Sequence, residues 1–100
     1  MANLIKWEVE TKFLAKTPEE RLKMQVQMQK WVKEDVEKGI HTAWGMDLGG
    51  MSGFALTNLD GEDLYLAMMR FSPLIKFKVK RMLTIDEAID ATQKLVKMSR

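Results

Sequence analysis

His41-Thr42-Ala43-Trp44-Gly45-Met46-Asp47-Leu48-Gly49-Gly50-Met51-Ser52-Gly53-Phe54-Ala55-Leu56-Thr57 reads as a strand, a glycine turn and a second strand, with large apolar side chains on both faces. A two-residue loop at Gly49-Gly50 sets Leu48 opposite Met51, Met46 opposite Gly53, Trp44 opposite Ala55 and Ala43 opposite Leu56, so large residues meet small ones. Side chains alternate along a strand. One face then holds Thr42, Trp44, Met46, Met51 and Thr57, and the other His41, Ala43, Gly45, Phe54 and Leu56. An ordinary surface hairpin has one wet face, so this one is expected to be covered on both sides.

Before the hairpin, Ile5, Trp7, Val9, Thr11 and Phe13 alternate with Lys6, Glu8, Glu10 and Lys12, predicting a strand with one buried and one charged face. Thr17-Pro18-Glu19-Glu20 supplies an N-cap, a proline at the first helical position and a capping-box glutamate. The helix they open is predicted over 18–38, ending at Gly39, with Leu22, Val26, Val32 and Val36 as its main stripe and Met24, Met28 and Trp31 widening it.

After the hairpin, Asp60 caps a second helix from Gly61 to about Phe71, with Leu64, Met68 and Phe71 inward, and Ser72-Pro73 ends it. Ile75, Phe77 and Val79 alternate with Lys76, Lys78 and Lys80 in a last strand whose polar face is basic, which protects it at a sheet edge. Thr84-Ile85-Asp86-Glu87 is a second capping box, and Ile85, Ala88, Ile89, Thr92, Leu95 and Val96 follow at helical spacing.

The order strand, helix, strand, strand, helix, strand is the α+β, ferredoxin-like βαββαβ order. The chain is one domain over 1–100, with the core at 3–83 and an added C-terminal helix at 84–98. Such a domain lays two helices on one sheet face and leaves the other open unless something covers it. Glu8, Glu10 and the lysines of the last strand belong on that open face. Trp44, Met46 and Met51 are favoured for it too, because Phe54 and Leu56 suit the helix layer of a central strand.

An apolar patch of this kind marks either a protein contact or a chamber enclosed where two such sheets meet. In the second reading Trp44, Met46, Met51 and Thr57 form walls, and Glu8, Glu10, Lys76 and Lys78 provide polar groups. Glu8 or Glu10 is the catalytic candidate, because an apolar wall raises a carboxyl pKa toward the range of a general acid. The competing reading is a cross-strand ion pair with the lysines, which lowers that pKa, and it is the stronger of the two. His41 is the only histidine and receives no role, because no Cys or carboxylate spacing accompanies it.

Composition narrows the classes. Sixteen basic and fourteen acidic residues give a net charge of +2, too small to imply nucleic acid or a membrane surface without a concentrated patch. The absence of cysteine excludes disulfides, thiolate nucleophiles and Cys-based zinc sites. The glycines fit neither a dinucleotide fingerprint nor a phosphate loop, so no cofactor is expected, and a lone histidine without Cys or carboxylate spacing leaves no metal expected. Met1-Ala2-Asn3-Leu4-Ile5-Lys6 reaches a charge too early for a signal peptide, and 48–59 is too short to span a bilayer, so a cytoplasmic protein is expected. Gly53-Phe54-Ala55-Leu56 resembles the start of an RNA-recognition signature. Ser52 stands where that signature is basic, Leu56 and Leu59 where it is aromatic, and Glu8 and Glu10 oppose phosphate.

From Gly39 to Leu83, several features recur together: Gly39, Trp44 in the second strand, a glycine turn, Asp60-Gly61-Glu62-Asp63-Leu64 opening a helix, Ser72-Pro73-Leu74 closing it, and an alternating last strand. This pattern resembles the dimeric α+β barrel superfamily, most closely its muconolactone isomerase-like branch. The resemblance implies a homodimer whose sheets pair into a barrel around a cleft. It also implies the company of cofactor-free isomerases and monooxygenases acting on aromatic or lactone compounds, alongside members without assigned activity. Arg81-Met82-Leu83 lacks the proline usual there, and the capped terminal helix is an addition. The expectation is a homodimer holding a small apolar or aromatic molecule between its sheets. The alternatives are a structural or protein-interaction module and, less favoured, single-stranded RNA binding.

Overall fold

The computed structural model describes residues 2–99. Strand β1 (Ala2–Val9), helix α1 (Pro18–Glu37), strands β2 (His41–Met46) and β3 (Ser52–Thr57), helix α2 (Gly61–Met69), strand β4 (Ile75–Met82) and helix α3 (Ile85–Met98) follow one another. The strands form one antiparallel sheet in the order β2-β3-β1-β4, so the basic β4 is an edge strand. This α+β arrangement of a four-stranded sheet and three helices is compatible with the ferredoxin-like order.

Helix boundaries follow from capping. The Thr17 hydroxyl accepts from the Glu20 N–H at 3.2 Å, and the chain leaves α1 through Gly39 at φ 75°, a left-handed turn that glycine adopts without steric cost. Asp60 accepts from the Gly61 N–H at 2.9 Å to open α2. Thr84 and Glu87 close a full capping box at the start of α3.

The expected hairpin register holds, with Ala43 opposite Leu56, Trp44 opposite Ala55 and Met46 opposite Gly53. The connection is wider than two glycines. Asp47 N–H donates to Ser52 O at 2.9 Å, Gly50 N–H donates to Asp47 O at 2.8 Å, and Gly50 takes φ 75°, giving a loop over 48–51. Gly53 is required by packing, because a Cβ there would overlap both the Gly45 carbonyl oxygen and Cζ2 of Trp7.

Three expectations need correction. First, β1 stops at Val9 rather than running to Phe13: Glu10 N–H turns to Leu74 O at 2.7 Å and a single 3-10 turn, Thr11–Phe13, carries the chain away. Second, Trp44, Met46 and Met51 do not lie on the open face. Trp44 pairs with Ala55, which pairs with Ile5, and all three belong to the helix side with Trp7, whose ring stacks on Trp44 at 5.8 Å. Phe54 and Leu56 occupy the open face instead, beside Leu4, Lys6, Lys78 and Lys80. Third, α1 is rotated from its expected stripe. Met28, Trp31 and Val32 are half-buried toward the sheet, whereas Leu22, Val26 and Val36 are exposed; Met24 borders the same interior space from an exposed position.

The buried apolar core comprises Ile5, Ala55 and Leu64, with Trp44, Leu59, Met68 and Phe77 packed against it. Much of the remaining space between helices and sheet is open. Helix α3 leaves the domain, giving a molecule of 65 × 27 × 26 Å whose 17.1 Å radius of gyration exceeds the roughly 13 Å of a compact chain this long.

Candidate functional site

A cavity of about 660 Å³ lies between α1, α2 and the helix side of the sheet. The sheet supplies Trp7 and Trp44 as a stacked pair, the hairpin loop supplies Met51, and α1 supplies Met24, Met28 and Trp31. Trp31 meets Phe71 edge-on at 5.7 Å, and Phe71 meets Phe77 at 6.1 Å, so the far wall is aromatic as well. Residues 21, 24, 28, 31 and 35 of α1 recur at helical spacing and all face this space. Arg21 and Asp35 mark the two ends of that row, about 21 Å apart at helical rise.

Asp35 is the informative member of the row. It is a buried carboxylate, 6% exposed, on the inner face of an amphipathic helix. Arg70, from the end of α2, donates to Asp35 Oδ2 at 2.7 Å, and its guanidinium also lies over the Trp31 and Phe71 rings at 5.8 and 5.5 Å. His41 Nε2 sits 3.6 Å from the same oxygen, an electrostatic contact longer than a hydrogen bond. A β-bulge brings the imidazole there: the register shifts between His41 and Ala43, which turns His41 to the helix side although simple alternation places it on the other.

Burial pushes the His41 imidazole below its ordinary pKa. Asp35 opposes this and Arg70 adds to it. His41 is therefore neutral at pH 7. Its other ring nitrogen, Nδ1, is buried and has no hydrogen-bond partner among the described residues. The Trp7 indole N–H is likewise buried and without a partner among the described residues. Both residues line the cavity. A largely apolar, half-open cavity thus presents two buried nitrogens without partners, which is unusual because buried polar groups are ordinarily paired.

The residues named from sequence divide. Trp44, Met46 and Met51 come together in the cavity wall. Thr57 is fully buried, but its hydroxyl is committed to Ile40 O and the Leu59 N–H, both at 3.2 Å. Lys76 and Lys78 lie across the sheet from the cavity, as does Glu8, and Glu10 follows the end of β1. Glu10 meets Lys76 at 3.1 Å, the ion-pair reading, and that hydrogen bond and charge raise the lysine pKa. The register sets Glu8 on the sheet face opposite Trp44. The missed residues are Asp35, Arg70, Trp7 and His41. Asp35 carries a legible signal, since it falls one turn beyond Trp31 and Val32 on an otherwise apolar stripe.

Among the described residues no group of three or more His, Asp or Glu side chains is placed to hold a metal ion, and no helix is long and apolar enough to cross a membrane. Neither a protein-family model nor a curated protein matches the chain.

Proposed function

We propose that this protein binds a small apolar or aromatic molecule in the cavity between its helices and its sheet, and that it works as a homodimer joined over the helix-free sheet face. The observation carrying the first part is the pair of buried nitrogens without partners among the described residues, Trp7 Nε1 and His41 Nδ1, on the lining of a largely apolar space. The volume, about 660 Å³, falls within the range of small-molecule sites. A ligand with an apolar body and a polar group able to meet the imidazole suits this lining. The position differs from a cleft between paired sheets: here one chain supplies both walls.

His41 is the group placed for proton transfer. Its neutral imidazole lies 3.6 Å from a carboxylate that Arg70 holds. A cofactor-free isomerisation needs such a proton acceptor beside an apolar substrate, and His41 replaces Glu8 and Glu10 as its candidate.

The homodimer reading is supported by Leu4, Phe54, Leu56 and Met82, which share the helix-free face with Ala43 and leave Phe54 and Met82 42% and 38% exposed.

All three tryptophans line the cavity, so intrinsic fluorescence reports directly on it. Titration with a panel of aromatic acids, phenols and lactones is expected to give a saturable change in emission with at least one class, and His41→Gln is expected to weaken it about tenfold or more. A folded protein whose emission no compound alters would refute the binding reading.

A further inference from the structure

Helix α3 is an amphipathic helix whose apolar stripe no described element packs against closely. Ile85, Ile89, Leu95 and Val96 are 74%, 49%, 63% and 53% exposed. The chain carries a second uncovered apolar surface, the helix-free face of the sheet, where Leu4, Leu56 and Phe54 adjoin a basic half. In that half Lys6 stands directly opposite Lys78, with Lys80 next along β4. Like charges so placed repel, and among the described residues none of the three has a carboxylate within 4 Å.

We propose that α3 of one chain lies across the helix-free sheet face of a second copy, and that the partner's α3 returns the contact. This rests on the homodimer reading above and specifies how the dimer is made.

Three features fit. The first half of α3 carries Asp86 and Asp90 beside the capping-box Glu87 and no basic residue, matching the Lys6, Lys78 and Lys80 half of the sheet. That orientation sets the second half, with Leu95 and Val96, over Leu56 and Phe54. The sizes agree: 14 helical residues reach about 21 Å, and four strands about 4.8 Å apart make a face about 19 Å wide. Two such reciprocal contacts are of the order of the roughly 1,600 Å² buried in a standard stable interface. The chain's own sheet is a poorer seat for α3. Only Leu83 and Thr84 separate β4 from α3, and Thr84 is held in the capping box that sets the helix running away from the domain.

The native chain has no cysteine, so a paired-cysteine experiment is free of background. Phe54→Cys and Leu95→Cys are made as separate full-length variants, mixed, and oxidised. A covalent species of twice the 11.6 kDa chain mass is expected in the mixture, above the level of either variant alone. In the double variant, conversion to an internally linked monomer would overturn the exchange in favour of a helix folded onto its own sheet. A dimeric mass by light scattering without cross-linking would overturn the exchange and leave the homodimer standing. A monomeric mass at about 100 µM would overturn both, and salt-sensitive retention of single-stranded RNA by that monomer would assign the basic face to nucleic acid. Should a cysteine at position 54 disturb folding, Ile89→Asp combined with Leu95→Asp alters only exposed positions of α3. It is expected to raise the dimer dissociation constant at least a hundredfold with the domain's near-ultraviolet spectrum intact, and an unchanged constant would overturn the proposal.

Discussion

Asp35 Oδ2 accepts a 2.7 Å hydrogen bond from Arg70 and stands 3.6 Å from His41 Nε2, so a single buried oxygen ties the end of α1 to the end of α2 beside the first residue of β2. Few backbone contacts hold the helices to the sheet, which makes this polar link a structural tie as well as part of the site. Removing Arg70 leaves a carboxylate buried without its cation. A fully buried pair broken in this way costs about 3–5 kcal/mol; with the Arg70 side chain 36% exposed, water replaces part of the interaction, and Arg70→Met is expected to cost about 2 kcal/mol. Urea unfolding measures it. Asp35→Asn, which removes the charge and keeps the shape, is expected to cost less; a larger cost would contradict an uncompensated carboxylate as the cause.

His41 makes stability depend on pH. Burial lowers its pKa in the folded state, so below the ordinary value near 6.5 the unfolded chain binds the proton more readily. The stabilisation is complete above that value and is lost as pH falls from about 6.5 through the depressed folded pKa. Between about pH 7.5 and 5.5 the urea midpoint of the native protein is expected to fall, and that of His41→Gln to stay nearly level. Equal slopes would mean that other groups control this window.

Gly53 sits under the Trp7 ring and against the Gly45 carbonyl, and a methyl group there would meet both well inside van der Waals contact. Backbone cannot yield as a flexible side chain does, so Gly53→Ala is expected to cost about 3 kcal/mol. Gly49 is the control, because no atom lies within 4 Å of the place a methyl group would take there and its φ is not left-handed. Gly49→Ala is expected to be neutral or to stabilise by up to about 1 kcal/mol. Thermal unfolding of the two variants separates turn flexibility from packing.

These sites also show where sequence reading succeeds and where it stops. Strand alternation and capping residues depend on neighbours a few positions apart, so the order of elements, the Trp44–Ala55 register and the caps at Thr17, Asp60 and Thr84 are legible directly. Which hairpin face meets the helices depends on the pairing of β1 with β3, a contact between residues about fifty positions apart. Trp44 and Phe54 are both large aromatics on such a ribbon, and their hydrophobicity does not distinguish the faces. The space beside the opposed residue does, since Trp7 needs Gly53 beneath it. The bulge that reverses His41 has no glycine or proline to announce it. Asp35 is legible as a carboxylate on an apolar stripe, but its partners Arg70 and His41 come from other elements.

Lys6 and Lys78 face each other on the helix-free side of the sheet. Lys78→Glu converts that repulsion into a cross-strand pair, and the exposed position limits the gain in domain stability to about 0.5 kcal/mol. The same change removes a positive charge offered to a partner's acidic α3. The variant is therefore expected to unfold slightly later in urea while dissociating more readily, with the difference shrinking in high salt. Light scattering and urea titration of the same sample test both halves, and a variant that gains dimer strength would reverse the assigned charge match.

A 14-residue helix without tertiary contacts is marginal in water, even with a capping box, because the cost of nucleation is spread over few hydrogen bonds. In an isolated chain α3 is supported by the Thr84–Glu87 capping box and by the Asp90–Lys94 pair at 3.1 Å, with its apolar stripe largely exposed. If a second copy covers its stripe, helix content depends on concentration. Circular dichroism at 222 nm is expected to lose signal on dilution from about 100 µM to below the dissociation constant, while tryptophan emission from the domain stays constant because Trp7, Trp31 and Trp44 all lie outside α3. Thr84→Ala, which removes about 1 kcal/mol of capping from each of the two helices of the dimer, is expected to shift that transition to higher concentration by roughly thirtyfold. A signal independent of concentration, with α3 fully helical in the dilute monomer, would show that its stripe needs no partner to hold the helix.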